Sequence, residues 1–117
     1  MTVNVNAPRY AILGFFAPVP SSKWKAGQTV PIKIAVTRSG VRISDAEATG
    51  LLSPTCFVKF SASGAQAVAP TCVKYDALND QFVYNWKLGN ATGQDTITVT
   101  VSSGGVTSKS ESITIVK

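Results

Sequence analysis

Cys56 and Cys72 are the two cysteines of this 117-residue chain, and they are its clearest candidates for chemistry. A thiol pair can bind a metal, exchange disulfides or form a structural bridge. The two do not form a CxxC pair, and the chain has no histidine to complete a zinc site, so a structural metal is not expected. Their flanks echo one another: Pro54-Thr55-Cys56-Phe57-Val58-Lys59-Phe60 is followed by Pro70-Thr71-Cys72-Val73-Lys74-Tyr75. If these segments pair as a hairpin centred on Gly64, the sulfurs face each other. Opposed strand residues lie about 4.5–5.5 Å apart at Cα, which a disulfide accepts. Such a bridge contributes roughly 3 kcal/mol in the chain-entropy model. The alternative is two reduced cysteines serving as small apolar side chains.

Catalysis has little to work with. Histidine, the commonest general base, is absent, and only six residues are acidic. No Gly-x-Ser-x-Gly elbow occurs, and nothing would activate the plentiful Ser and Thr hydroxyls. No enzymatic activity, catalytic residue, cofactor or metal is therefore expected. Asp76, Asn79 and Asp80 share one turn and could offer oxygens to calcium, although Asx residues in turns more often cap their own backbone. Asn90-Ala91-Thr92 matches a glycosylation sequon, a pattern too short to carry weight. A Lys33–Asn85 crosslink would need both side chains in a desolvated core, whereas strand parity turns both outward.

Binding is the more promising chemistry. Net charge is +5, and the first 44 residues hold Arg9, Lys23, Lys25, Lys33, Arg38 and Arg42 with no acid. Within this basic segment Tyr10, Trp24, Lys23 and Lys25 are the candidate partner or glycan contacts, with Phe15 and Phe16 nearby. Partners are expected to be other protein subunits or surface proteins, with a polyanionic or glycan surface as the charge-driven alternative. An unpaired edge strand could also give a homo-oligomer. Nucleic acid is not expected without clustered arginines and interleaved aromatics. Nor is membrane insertion: the longest apolar run, Tyr10 to Val19, is too short and is broken by Gly14 and Pro18.

Strands must position these residues. Alternation of Val, Ile, Thr, Phe and Tyr dominates, bounded by Gly, Pro, Asn, Asp and Ser, with no stretch at helical spacing. Tyr10 to Phe16 reads as a first strand. Thr29 to Thr37 follows, with Val30, Ile32, Ile34 and Val36 on the core side, and Pro31 requires an edge or bulge there. A short strand near Val41 to Ile43 leads into a less regular stretch to Ser53. Cys56 to Ala62 and Ala67 to Tyr75 form the cysteine hairpin. Gln81 to Leu88 carries Phe82, Tyr84, Trp86 and Leu88 on one side and should be a central strand. Thr96 to Val101 points Ile97, Val99 and Val101 inward. In Val106 to Val116 the inward parity changes between Val106 and Ile113, which predicts a bulge. About seven short strands with turns every 8–12 residues predict an all-β, immunoglobulin-like antiparallel β-sandwich, with a small barrel as the alternative. One such domain fills residues 9–117 behind an N-terminal arm at 1–8.

Three segments resemble a known family. Gly14-Phe15-Phe16-Ala17-Pro18-Val19, then Lys25-Ala26-Gly27-Gln28-Thr29-Val30-Pro31-Ile32-Lys33, then Tyr75-Asp76-Ala77 with Gln81-Phe82-Val83-Tyr84-Asn85-Trp86-Lys87, resemble the bacterial immunoglobulin-like repeat with a Pro-x-Lys strand. The resemblance implies a non-catalytic module appended to secreted or cell-surface proteins. The expectation is a structural, adhesion or decoration module on a bacterial extracellular surface or a virus particle, acting through protein contacts. A carbohydrate-binding module using exposed aromatics is the alternative. The N-terminus lacks a signal-peptide pattern, which fits either an excised piece of an exported protein or a short protein made in the cytoplasm.

Overall fold

A computed structural model describes residues 10–16, 23–103 and 105–117. The arm expected at 1–8 lies outside them. The described chain is all-β, a sandwich of two sheets with one short helix. One sheet contains β1 (Ala11–Gly14), β3 (Thr29–Arg38), β8 (Gln81–Lys87) and β7 (Lys74–Asp76) in that order, with β4 (Val41–Arg42) also on β3. The other runs β2 (Lys23–Lys25), β10 (Thr107–Val116), β9 (Gly93–Val101), β5 (Val58–Gly64) and β6 (Val68–Cys72). The first order is that of the ABED layer of immunoglobulin domains, and β5, β9 and β10 take the places of strands C, F and G.

Among the described residues there are ten strands where about seven were expected, because the segments at the sheet edges are split into pieces of two to five residues. It is also not wholly antiparallel: β2 runs parallel to β10, with Trp24 beside Ile115. A helix, α1 (Asp45–Gly50), fills part of the stretch expected to be irregular. Six residues are too few for a hydrophobic period to show. The legible signal was the capping box Ser44-Asp45-Ala46-Glu47, in which the Ser44 side chain accepts the Glu47 backbone N–H.

Alternation places Val30, Ile32, Ile34 and Val36 in the core as expected, and it buries Ile97 and Val99 on β9. Ala35 and Thr37, on the other face of β3, are buried too. Pro31 is accommodated by the phase of the ladder. Leu88 N–H donates to Gln28 on the β3–β8 side, so even-numbered residues of β8 bond to β3 and Pro31 faces Asn85 across a non-hydrogen-bonded pair. The missing N–H of Pro31 thus points toward the β1 side, where β1 pairs only from Ile34 onward.

Two expectations about the last strands are corrected. β10 has no bulge: its register against β9 is continuous from Thr107–Val101 to Ile115–Gly93. Val106 lies before the strand and is 67% exposed, and the inward positions between it and Ile113 are taken by exposed Lys109 and Glu111, at the sheet edge. The cysteine hairpin is also shifted. Cys72 sits opposite Lys59, and Thr71 opposite Phe60, with a bulge before Ala62–Val68. Cys56 precedes β5 altogether. The expected second strand divides at Val73, where the chain leaves one sheet as β6 and joins the other as β7.

The sheets meet through aromatics. Phe60 of β5 is fully buried and stacks on Tyr84 of β8, ring centroids 4.6 Å apart, and lies tilted against Trp86 at 5.6 Å. Phe82 and Trp86 are buried as expected. Tyr84, expected in the core, is only partly buried, because its ring lies where β7 and the sandwich interior open to solvent. We expect Phe60→Ala to cost about 3–5 kcal/mol, since it removes the ring that spans both sheets. Urea unfolding followed by tryptophan fluorescence measures this, and a cost below about 1 kcal/mol would show that the inter-sheet contact is dispensable.

Candidate functional site

The expected contact residues do not form one exposed surface. Tyr10 is a correction: it is 5% exposed, continues the inward parity of β1 and donates its hydroxyl to Glu47 at 2.8 Å. Trp24 is partly buried against the core as the inward residue of β2 and, with the exposed Lys23 and Lys25 on either side, lines a cavity of about 390 Å³. The reason is common to both: large rings at inward positions of edge strands gain more from covering the core than from standing in water. Phe15 also packs on the core, and Arg42 lies over the Phe16 ring at 5.4 Å.

Cys56 and Cys72 are bonded, with Cα atoms 5.9 Å apart. The bridge ties the entrance of β5 to the last residue of β6, beside the point where the chain changes sheets. Val73 N–H donates to Val58 O at the same place.

Most of the carboxylates serve the fold. Glu47 pairs with Arg38 at 3.0 Å and accepts from Tyr10. Asp76 accepts from Leu78 N–H and from the Asn79 amide, so the turn proposed for calcium is an Asx-capped turn. Asp95, 2% exposed, accepts the Gln66 backbone N–H. Asp45 accepts the Tyr75 hydroxyl at 2.7 Å, and Asp80 accepts it at 3.3 Å. Lys33 and Asn85 both sit on the outer side of the first sheet, Lys33 opposite Val83 and Asn85 opposite Pro31.

Two outer faces remain for contact. On the first sheet, Lys33 of β3, Val83 of β8 and Lys74 of β7 form one cross-strand row, with Lys87 further along β8 on the same face. Among the described residues no acid lies within ion-pair distance of these lysines. Beside them, where β7 turns away from β8, is a cavity of about 360 Å³ whose lining includes Lys74, Asp76, Tyr84 and Asn85. The outer face of the second sheet is hydroxyl-rich. Ser63, Thr96 and Ser112 form one row, and Ser61, Thr98 and Ser110 form the next. The Thr98 and Ser110 oxygens are 2.8 Å apart. Period-two alternation foretold these outward hydroxyls, but only the strand register aligns them across three strands.

Compared with known proteins, the chain matches no family model and no curated protein sequence.

The Tyr75 phenol is pushed well above the ordinary tyrosine range, first by burial, then by its hydrogen bond to Asp45 and the negative charges of Asp45 and Asp80. A raised native value stabilises the protonated form. This contribution is complete below about pH 10, the unfolded tyrosine value, and is lost as pH climbs toward the native value. Melting temperatures between about pH 9 and 11 should therefore fall less steeply for Tyr75→Phe than for the parent chain. Parallel curves would show that Tyr75 ionisation is not coupled to folding.

Proposed function

We propose that this chain is a non-catalytic immunoglobulin-like module of the Pro-x-Lys type, displayed on a bacterial extracellular surface or a virus particle and acting through protein contacts. The observation that carries the reading is the unlike character of its two outer faces. One bears Lys33, Lys74 and Lys87, which form no ion pair among the described residues, and the other bears rows of hydroxyls. A broad face of small hydroxyls, with Lys59 at one end and Lys23 and Lys25 along the β2 edge, can lie against another flat surface at little desolvation cost over its hydroxyl rows. A lysine face draws an acidic partner and repels like-charged surfaces.

The engagement of five of the six acids in the fold's own hydrogen bonds supports a role without acid–base chemistry. The Cys56–Cys72 bridge supports an oxidising location. The inward placement of Tyr10 and Trp24 favours protein contact over stacking on sugars.

Lysine-directed crosslinking on intact cells or particles of the source, read by mass spectrometry, tests the proposal. We expect Lys33, Lys74 or Lys87 to be joined to other proteins of the same surface. Crosslinks confined to this chain, or made to cytoplasmic proteins, would overturn it. On a glycan array, no saturable signal should depend on Trp24; one that is lost in Trp24→Ala would restore the carbohydrate reading.

A further inference from the structure

The second half of β8 has an unguarded edge. β7 pairs with β8 only at Lys74–Val83, Tyr75–Phe82 and Asp76–Gln81, whereas β3 follows β8 through Lys87. The ladder phase set by Leu88 and Gln28 directs even-numbered residues of β8 toward β3. The N–H and C=O groups of Asn85 and Lys87 therefore point the other way, toward a side that has no strand among the described residues. This is where the chain, held by the Cys56–Cys72 bridge, departs through Val73 to the other sheet, leaving the cavity of about 360 Å³.

Two other edges are protected against strand addition. β6 contains Pro70, and the free stretch of β10 carries Lys109 and Glu111 at inward positions. At β8 the protection is purely electrostatic. Lys74 and Lys87 lie on the same face as Asn85, Lys87 Nζ donating to Gly27 O at 3.1 Å; Lys33 is in the Lys74 row, and Asp76, the one acid among the described residues that line the cavity, accepts from Leu78 and Asn79. Positive charge discourages a second copy of this basic chain but favours an acidic strand.

The geometry points to the Asn85–Lys87 edge of β8 as a docking site for an extended acidic segment of a partner protein, which adds to the sheet in line with β7. Backbone bonds to Asn85 and Lys87 supply register. Side chains opposite these two residues, spaced i and i+2, fall on the lysine-bearing face, so Asp or Glu there meets Lys74 and Lys87. The site rests on the reading of the chain as a protein-contact module. It is tested in vitro, independently of where the protein is displayed, so either can fail without the other.

The probe is a capped synthetic peptide of about ten residues alternating glutamate and threonine, with a lysine-for-glutamate counterpart as control. The readout is the amide spectrum of the intact chain. The glutamate peptide should produce saturable shifts at residues 74–76 and 83–87 and slow amide exchange at Asn85 and Lys87 about tenfold or more at saturation. A Lys74→Glu, Lys87→Glu double variant, whose remaining spectrum reports that it is folded, should bind at least about tenfold more weakly, and added salt should weaken the parent complex. No saturable binding, equal binding of the lysine peptide, or shifts confined to other surfaces would overturn the proposal. Concentration-dependent shifts at the same residues without peptide would assign the edge to a second copy instead.

Discussion

The contact on which the sandwich depends is the insertion of the Phe60 ring between Tyr84 and Trp86, from one sheet into the aromatic stripe of the other. A sheet cannot be stable with one apolar face in water, and two sheets cohere only if their inner side chains interdigitate. Here β5 supplies one large ring and β8 supplies the receiving pair, while Ile97, Val99, Ile32 and Ile34 fill the space around them. Burial of the β8 rings leaves the odd-numbered residues of that strand, Val83, Asn85 and Lys87, facing outward. The composition of the outer face is thus a consequence of the core.

The disulfide reinforces the core where the chain changes sheets. Between β6 and β7 the chain crosses from one sheet to the other in a single residue, Val73, which is buried in the core and donates its N–H to Val58. The bridge to Cys56 fixes one end of that crossing against the start of β5. The crossing also shortens β7 and exposes the remainder of β8, so the staple and the open edge share one topological cause.

Helix α1 closes one end of the molecule through polar contacts. Glu47 holds Arg38 of β3 and Tyr10, and Asp45 holds Tyr75 of β7. Two of the chain's six acids are thus the links between the helix and the first sheet. The lysines of that sheet's outer face form no ion pair among the described residues, and this is what gives the face its character.

By itself the sequence determined the all-β class, most strand positions and the inward set Val30, Ile32, Ile34, Val36, Phe82, Trp86, Ile97 and Val99, because period-two alternation is a local property that burial enforces directly. It also marked the cysteines as partners, although by a hairpin register that the structure shifts. Pairing between strands distant in the chain was left to the tertiary structure. Only that pairing set Phe60 against Tyr84, joined β2 in parallel to β10, turned Tyr10 and Trp24 inward, and aligned Lys33 with Lys74 across Val83. The physical reason is that alternation assigns each side chain to one of two faces but does not specify which strand lies beside it. That neighbour is chosen by the packing of the whole sandwich.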